Sequence, residues 1–188
     1  MKKLCSALFA FFLLINTLMA QQKIGTYTVS GFRVSVYVKE VDKTKGTIIY
    51  KVHWYESEKY DFSNTIGLYV SEDASSILLF AAFCANIDSD ILYKKYGKDY
   101  NGILITLLNA IINIDEIRNL LKTTSDELKI KQPNISFYHE DRFARPTGMI
   151  NIPIRDKRKL SDLVTKYLLY ISFADMLLTD SIKLALGS

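Results

Sequence analysis

The residues best suited to chemistry form one short run, Tyr138-His139-Glu140-Asp141-Arg142, with Arg145 close behind. A histidine beside carboxylates can act as a general base or help to bind a metal. Neighbours on an extended chain point to opposite sides, so His139 and Glu140 share a site only if the chain turns between them. The sequence holds no His-Glu-x-x-His, no paired cysteines or histidines at metal spacing and no Gly-x-Ser-x-Gly. A polar loop before Pro146 accounts for the run without catalysis. Catalysis by His139 with Glu140 or Asp141, as in a hydrolase, is therefore the second reading. No cofactor or metal site is expected.

A second group is cationic. Arg142, Arg145, Arg155, Lys157, Arg158 and Lys159 are opposed within their stretch only by Asp156. Local charge of this kind steers an acidic partner and speeds encounter. It also suits a solvated connector, but basic residues at a helix start oppose the helix dipole, which weakens a purely structural reason for them. The whole chain carries only +4, two of which are Lys2 and Lys3. That balance gives no argument for nucleic acid as a partner. Twelve tyrosines add a third feature, since tyrosine joins apolar area to a hydrogen-bonding tip and is enriched at binding surfaces.

The elements that must carry these residues begin after residue 20. Lys2-Lys3, the apolar stretch Leu4 to Ile15 and Leu18-Met19-Ala20 have the layout of a secretory signal peptide, so residues 1–20 are set apart from the fold. Residues 21–188 are then of a size for one domain. Cys84 is the only cysteine left in that span, which leaves no internal disulfide; its apolar setting predicts a buried, inert thiol.

Residues 24–56 read as an antiparallel β-meander. Phe32, Val34, Val36 and Val38 alternate with Arg33, Ser35 and Tyr37, and Ile48, Tyr50, Val52 and Trp54 alternate with Lys51 and His53. Ser30-Gly31 suits the hairpin turn between the first two strands. Ile66–Val70 reads as a further strand, and 74–85 as a buried helix. Asp88 or Ser89 is expected to cap a short helix that Gly97 ends. The apolar run 103–112 fits helix or strand. Asn113 and Glu116 have capping-box spacing for a helix at about 114–122. Glu127–Lys131 and Ile135–Tyr138 read as short strands, and Met149–Ile152 as an edge strand because of Pro153.

Leu160 to Leu186 is the longest uninterrupted stretch. Leu160, Leu163, Val164, Tyr167, Leu168, Ile171, Ala174 and Leu178 recur at helical spacing, while Asp162, Thr165, Lys166, Ser172, Asp175 and Thr179 fall on the opposite face. Leu169, Tyr170, Phe173, Met176 and Leu177 widen the apolar side, so the helix is expected to be buried on most of its circumference. The fold class is α+β: an N-terminal antiparallel meander packed against several helices, with a long C-terminal core helix. Export, compactness and the basic segment favour a small, non-enzymatic binding protein of a bacterial cell envelope, periplasmic or secreted. It would be inhibitor-like or immunity-like and engage a protein or other acidic partner. Contact with an anionic membrane surface is a lesser reading, because the apolar circumference of the last helix suits burial better.

Overall fold

The computed structural model describes residues 22–55, 61–115, 117–119, 135–138, 145–154 and 160–187. The described strands are β1 (Gln22–Val29), β2 (Phe32–Asp42), β3 (Thr47–Tyr55), β4 (Asp61–Val70), β5 (Ser76–Ala82), β6 (Ile135–Tyr138) and β7 (Thr147–Pro153). They form one antiparallel sheet in the order β1-β2-β3-β4-β5-β7-β6. Helices α1 (Ser89–Tyr96) and α2 (Tyr100–Ile111) leave the sheet after β5, and α3 (Leu160–Leu186) closes the chain. The architecture is α+β, with the meander and the long final helix where the hydrophobic periodicity puts them.

The first hairpin follows from two residues. Val29 pairs with Phe32, and Ser30 and Gly31 between them both have positive φ, 48° and 87°. A two-residue loop of that kind matches the twist of the strands it joins. From there the alternation sorts the side chains. Val34, Val36, Val52, Trp54, Ile66, Leu68, Ile77 and Leu79 are fully buried on the inner face.

Residues 74–85 form no helix. β5 occupies 76–82, between β4 and β7. Ile77, Leu79 and Ala81 point inward, while Leu78 and Phe80 lie half-buried on the other side. An apolar run without alternation suits a central strand as well as a buried helix. The polar residues before this run build a turn instead of a helix cap. Ser71 Oγ donates to Asp73 Oδ1 at 2.7 Å and accepts the Ser75 and Ser76 N–H groups, closing a tight turn from β4 into β5. Nor is 149–152 an edge strand. β7 lies between β5 and β6, and Pro153 sits opposite Ser76 beyond the reach of β6, which pairs only as far as Ile150. There the missing proline N–H interrupts no ladder on that side.

α1 starts as expected, with Asp88 Oδ1 accepting the Asp90 N–H at 2.8 Å, and ends at Gly97 with φ 80°. The ambiguous run 103–112 is helical, within α2. Helical residues resume at 115 and 117–119. The expected strand at Glu127–Lys131 and the signal peptide at 1–20 lie outside the described residues.

α3 is 27 residues long, about 40 Å at 1.5 Å per residue. It packs against β3, β4, β5 and α2. From Tyr167 to Met176 every residue is buried, so this stretch has no outward face. Ser172, Asp175 and Thr179, polar residues of the face opposite the apolar one, are buried at 0–1% exposure. They tolerate burial because the sheet brings partners. Ser172 Oγ accepts the Trp54 Nε1–H and donates to Asn64 Oδ1 at 2.7 Å. Asn64 Nδ2 donates to Asp175 Oδ2 at 3.2 Å, and the Cys84 N–H donates to Asp175 Oδ1 at 2.7 Å. Phe173 stacks on Trp54 with ring centroids 5.2 Å apart.

Candidate functional site

With the helices on the inner face, the outer face of β1–β4 is where the sheet gathers polar side chains. The register sets them in rows. Thr26 lies opposite Ser35, Ser35 opposite His53 and His53 opposite Ser63; Arg33 lies opposite Tyr55, and Tyr55 opposite Asp61. Cross-strand neighbours of this kind are close enough to interact directly.

Two linked groups result. In the first, Ser35 Oγ lies 3.2 Å from both Thr26 Oγ1 and the Tyr55 hydroxyl, and the Arg33 guanidinium sits 5.3 Å from the centre of the Tyr55 ring. The Ser35 hydroxyl, helped by the positive charges of Arg33 and Lys23, holds the Tyr55 phenol below its usual range. In the second, His53 Nε2 is 2.6 Å from Asp61 Oδ1, and the His53 ring lies 5.2 Å from that of Tyr55. Asp61 is well exposed and His53 partly so.

Rows of hydrogen-bonding, aromatic and charged side chains of this kind can take part in recognition. Ser35 is completely buried and its hydroxyl is held by Thr26 and Tyr55, so it is not presented to His53 as a nucleophile would be. Arg33, Lys23 and Lys51 bring positive charge to the face, with Tyr37 and Tyr55 half-buried among them. Among the described residues, no three His, Cys, Asp or Glu side chains gather where they could hold a metal ion.

Of the candidate catalytic and cationic residues His139, Glu140, Asp141, Arg142, Arg145, Arg155, Lys157, Arg158 and Lys159, Arg145 alone is described. It is 9% exposed, donates from Nη2 to the Ile87 carbonyl and sits 5.9 Å from the centre of the Tyr100 ring. It is turned into the protein, bracing the chain before β7 against the turn that leads into α1. His139, Glu140, Asp141 and Arg142 lie outside the described residues, as do Arg155, Lys157, Arg158 and Lys159. Cys84 is buried as its apolar run implies, and burial, followed by the nearby Asp175 charge, pushes its thiol up to about 12. His53 faces outward beside Lys51 and Tyr55, as the alternation requires. Its pairing with Asp61 was not legible, because it depends on the β3–β4 register across residues 56–60. No protein-family model matches the chain, and neither characterised proteins nor solved structures show significant similarity to it. Among the described residues, no helix is long and apolar enough to cross a membrane.

Proposed function

We propose that this is an exported, non-enzymatic binding protein of a bacterial cell envelope that engages an acidic protein partner through the outer face of β1–β4. The observation that carries the reading is the cluster of Arg33, Lys51, His53 and Tyr55 on a sheet face against which no described helix packs. Flat rows of cationic and aromatic side chains on a rigid sheet suit a protein surface better than a small substrate, which needs a concave site. Arg155, Lys157, Arg158 and Lys159 would extend the positive field that steers encounter. An inhibitor-like or immunity-like role is the form of activity this reading favours.

The test is affinity capture from the protein's own envelope, comparing wild type with an Arg33→Glu/Lys51→Glu pair and with Arg155→Glu/Arg158→Glu. A discrete partner should be retained by wild type and largely lost with the first pair. The second pair should slow association, and about 0.5 M salt should mimic it, because exposed charges are screened within a few ångströms at that strength. His139→Ala should leave capture intact. Capture indifferent to charge reversal and salt contradicts the binding reading. A folded His139→Ala protein that loses its function would put the hydrolase alternative, with Glu140 or Asp141, in its place.

A further inference from the structure

The line of polar side chains between α3 and the sheet has a direction. Trp54 donates to Ser172, Ser172 to Asn64, and Asn64 to Asp175. The Cys84 N–H reaches the same carboxylate from the other side, which φ of 53° at Cys84 permits. Every proton points toward Asp175. A chain of oriented donors is the arrangement that an anion imposes in a dry interior. Asp175 is 1% exposed, and an isolated buried carboxylate is costly.

Among the described residues, the groups around it supply no counter-ion to that charge. Of the elements packed against α3, β3 has Trp54 and Tyr50 buried, β4 has Asn64, and α2 has Asn101, Leu104 and Leu108. The turn after β5 presents Cys84, and one helical turn along α3 stands Thr179, its hydroxyl within hydrogen-bonding reach of both Cys84 Sγ, at 3.8 Å, and the Asp175 carboxyl. Among the described residues the buried cation is Arg145, whose charge acts on the Cys84 thiol and whose guanidinium is bound to the Ile87 carbonyl.

We propose that Asp175 is a proton-operated latch between α3 and the sheet. With the carboxylate charged, it ends the line as acceptor. When it takes a proton from water onto Oδ2, it becomes a donor to Asn64. The Asn64 amide then turns over, so that Oδ1 accepts from Asp175 and Nδ2 donates to Ser172 Oγ. Ser172 keeps the Trp54 N–H and turns its own proton to the carbonyl one turn back, a bond open to serine in a helix. Both states satisfy every partner, and only the acid state lacks the buried charge. Acid therefore tightens the seat of α3 on the sheet, and neutrality loosens it.

The sign can be worked through. Burial raises the Asp175 carboxyl from 3.8 to about 6, against the lowering effect of its hydrogen bonds. Its contribution to stability is complete below about pH 4 and is lost as pH rises through about 6. Those two values imply a weakening of the folding equilibrium by roughly a hundredfold. Asp42 and Asp73, lowered by hydrogen bonds in their turns, act in the opposite sense, but at lower pH.

Trp54 is the only tryptophan in the chain, so its fluorescence reads the far end of the line. The chain's two histidines, His53 and His139, are replaced by glutamine in the parent protein, so that no imidazole contributes to the signal. In that parent, Trp54 emission should change with a midpoint near pH 6. The unfolding constant should rise about twenty-five-fold from pH 4.5 to 7, relative to Asp175→Asn, in which both effects vanish. If Asp175→Asn does not fold, Ser172→Ala serves instead: it cuts Trp54 from the line, so the emission change should disappear while the pH-dependent stability persists. Flat emission and stability in the parent overturn the proposal. So does a transition that survives in folded Asp175→Asn, or an emission change that survives in Ser172→Ala.

Discussion

At the scale of the residue, Cys84 shows how a position can be read correctly in type and missed in role. Its apolar neighbours announce burial. They do not announce that its backbone takes the left-handed conformation and aims its N–H at a carboxylate 91 residues away. A non-glycine residue held there costs of the order of 1 kcal/mol, which the surrounding contacts must offset. The thiol itself should be inert. Held up to about 12 by burial, it should resist a thiol reagent at pH 8 for hours in the folded protein and react within minutes in denaturant; rapid labelling of the native state would contradict the assignment. The same lesson applies to Ser172, Asp175 and Thr179. Polarity alone sets them on the face opposite the apolar one, and only Trp54, Asn64 and Cys84, 91 to 118 positions earlier, explain why they are inside. Hydrogen-bond partners that distant leave no local pattern to read.

At the scale of the element, periodicity was legible wherever one face of an element differs from the other. β2 and β3 alternate and were read as strands; α3 was read from its 3.6-residue recurrence and its lack of Gly or Pro before Leu186. β5 and α2 lack that contrast. Both are apolar on two sides, and they resolved in opposite directions, one to strand and one to helix. The choice was made by the sheet, which needed a strand between β4 and β7. α3 carries the clearest energetic expectation. Leu168 is fully buried, so Leu168→Ala should cost about 2–5 kcal/mol in denaturant unfolding. A loss below about 1 kcal/mol would mean that the helix face is not packed as described.

At the scale of the whole molecule, the sheet separates two tasks. Its inner face joins the helices in one hydrophobic core around Trp54, Tyr167 and Phe173. Its outer face, over β1–β4, carries the cationic and aromatic rows that the binding proposal rests on. The sequence announced those rows by alternation, but not their assembly, because Thr26, Ser35, Tyr55 and Asp61 meet only through strand register. The basic segment 155–159 was legible as charge alone. The most direct measurement is hydroxyl-radical footprinting of the protein with and without its captured partner. Tyr37 and Tyr55 should become several-fold less oxidised in the complex, while Leu184, 81% exposed at the far end of α3, should be unchanged. Protection confined to α1 or to the end of α3, with Tyr37 and Tyr55 oxidised as before, would contradict the account.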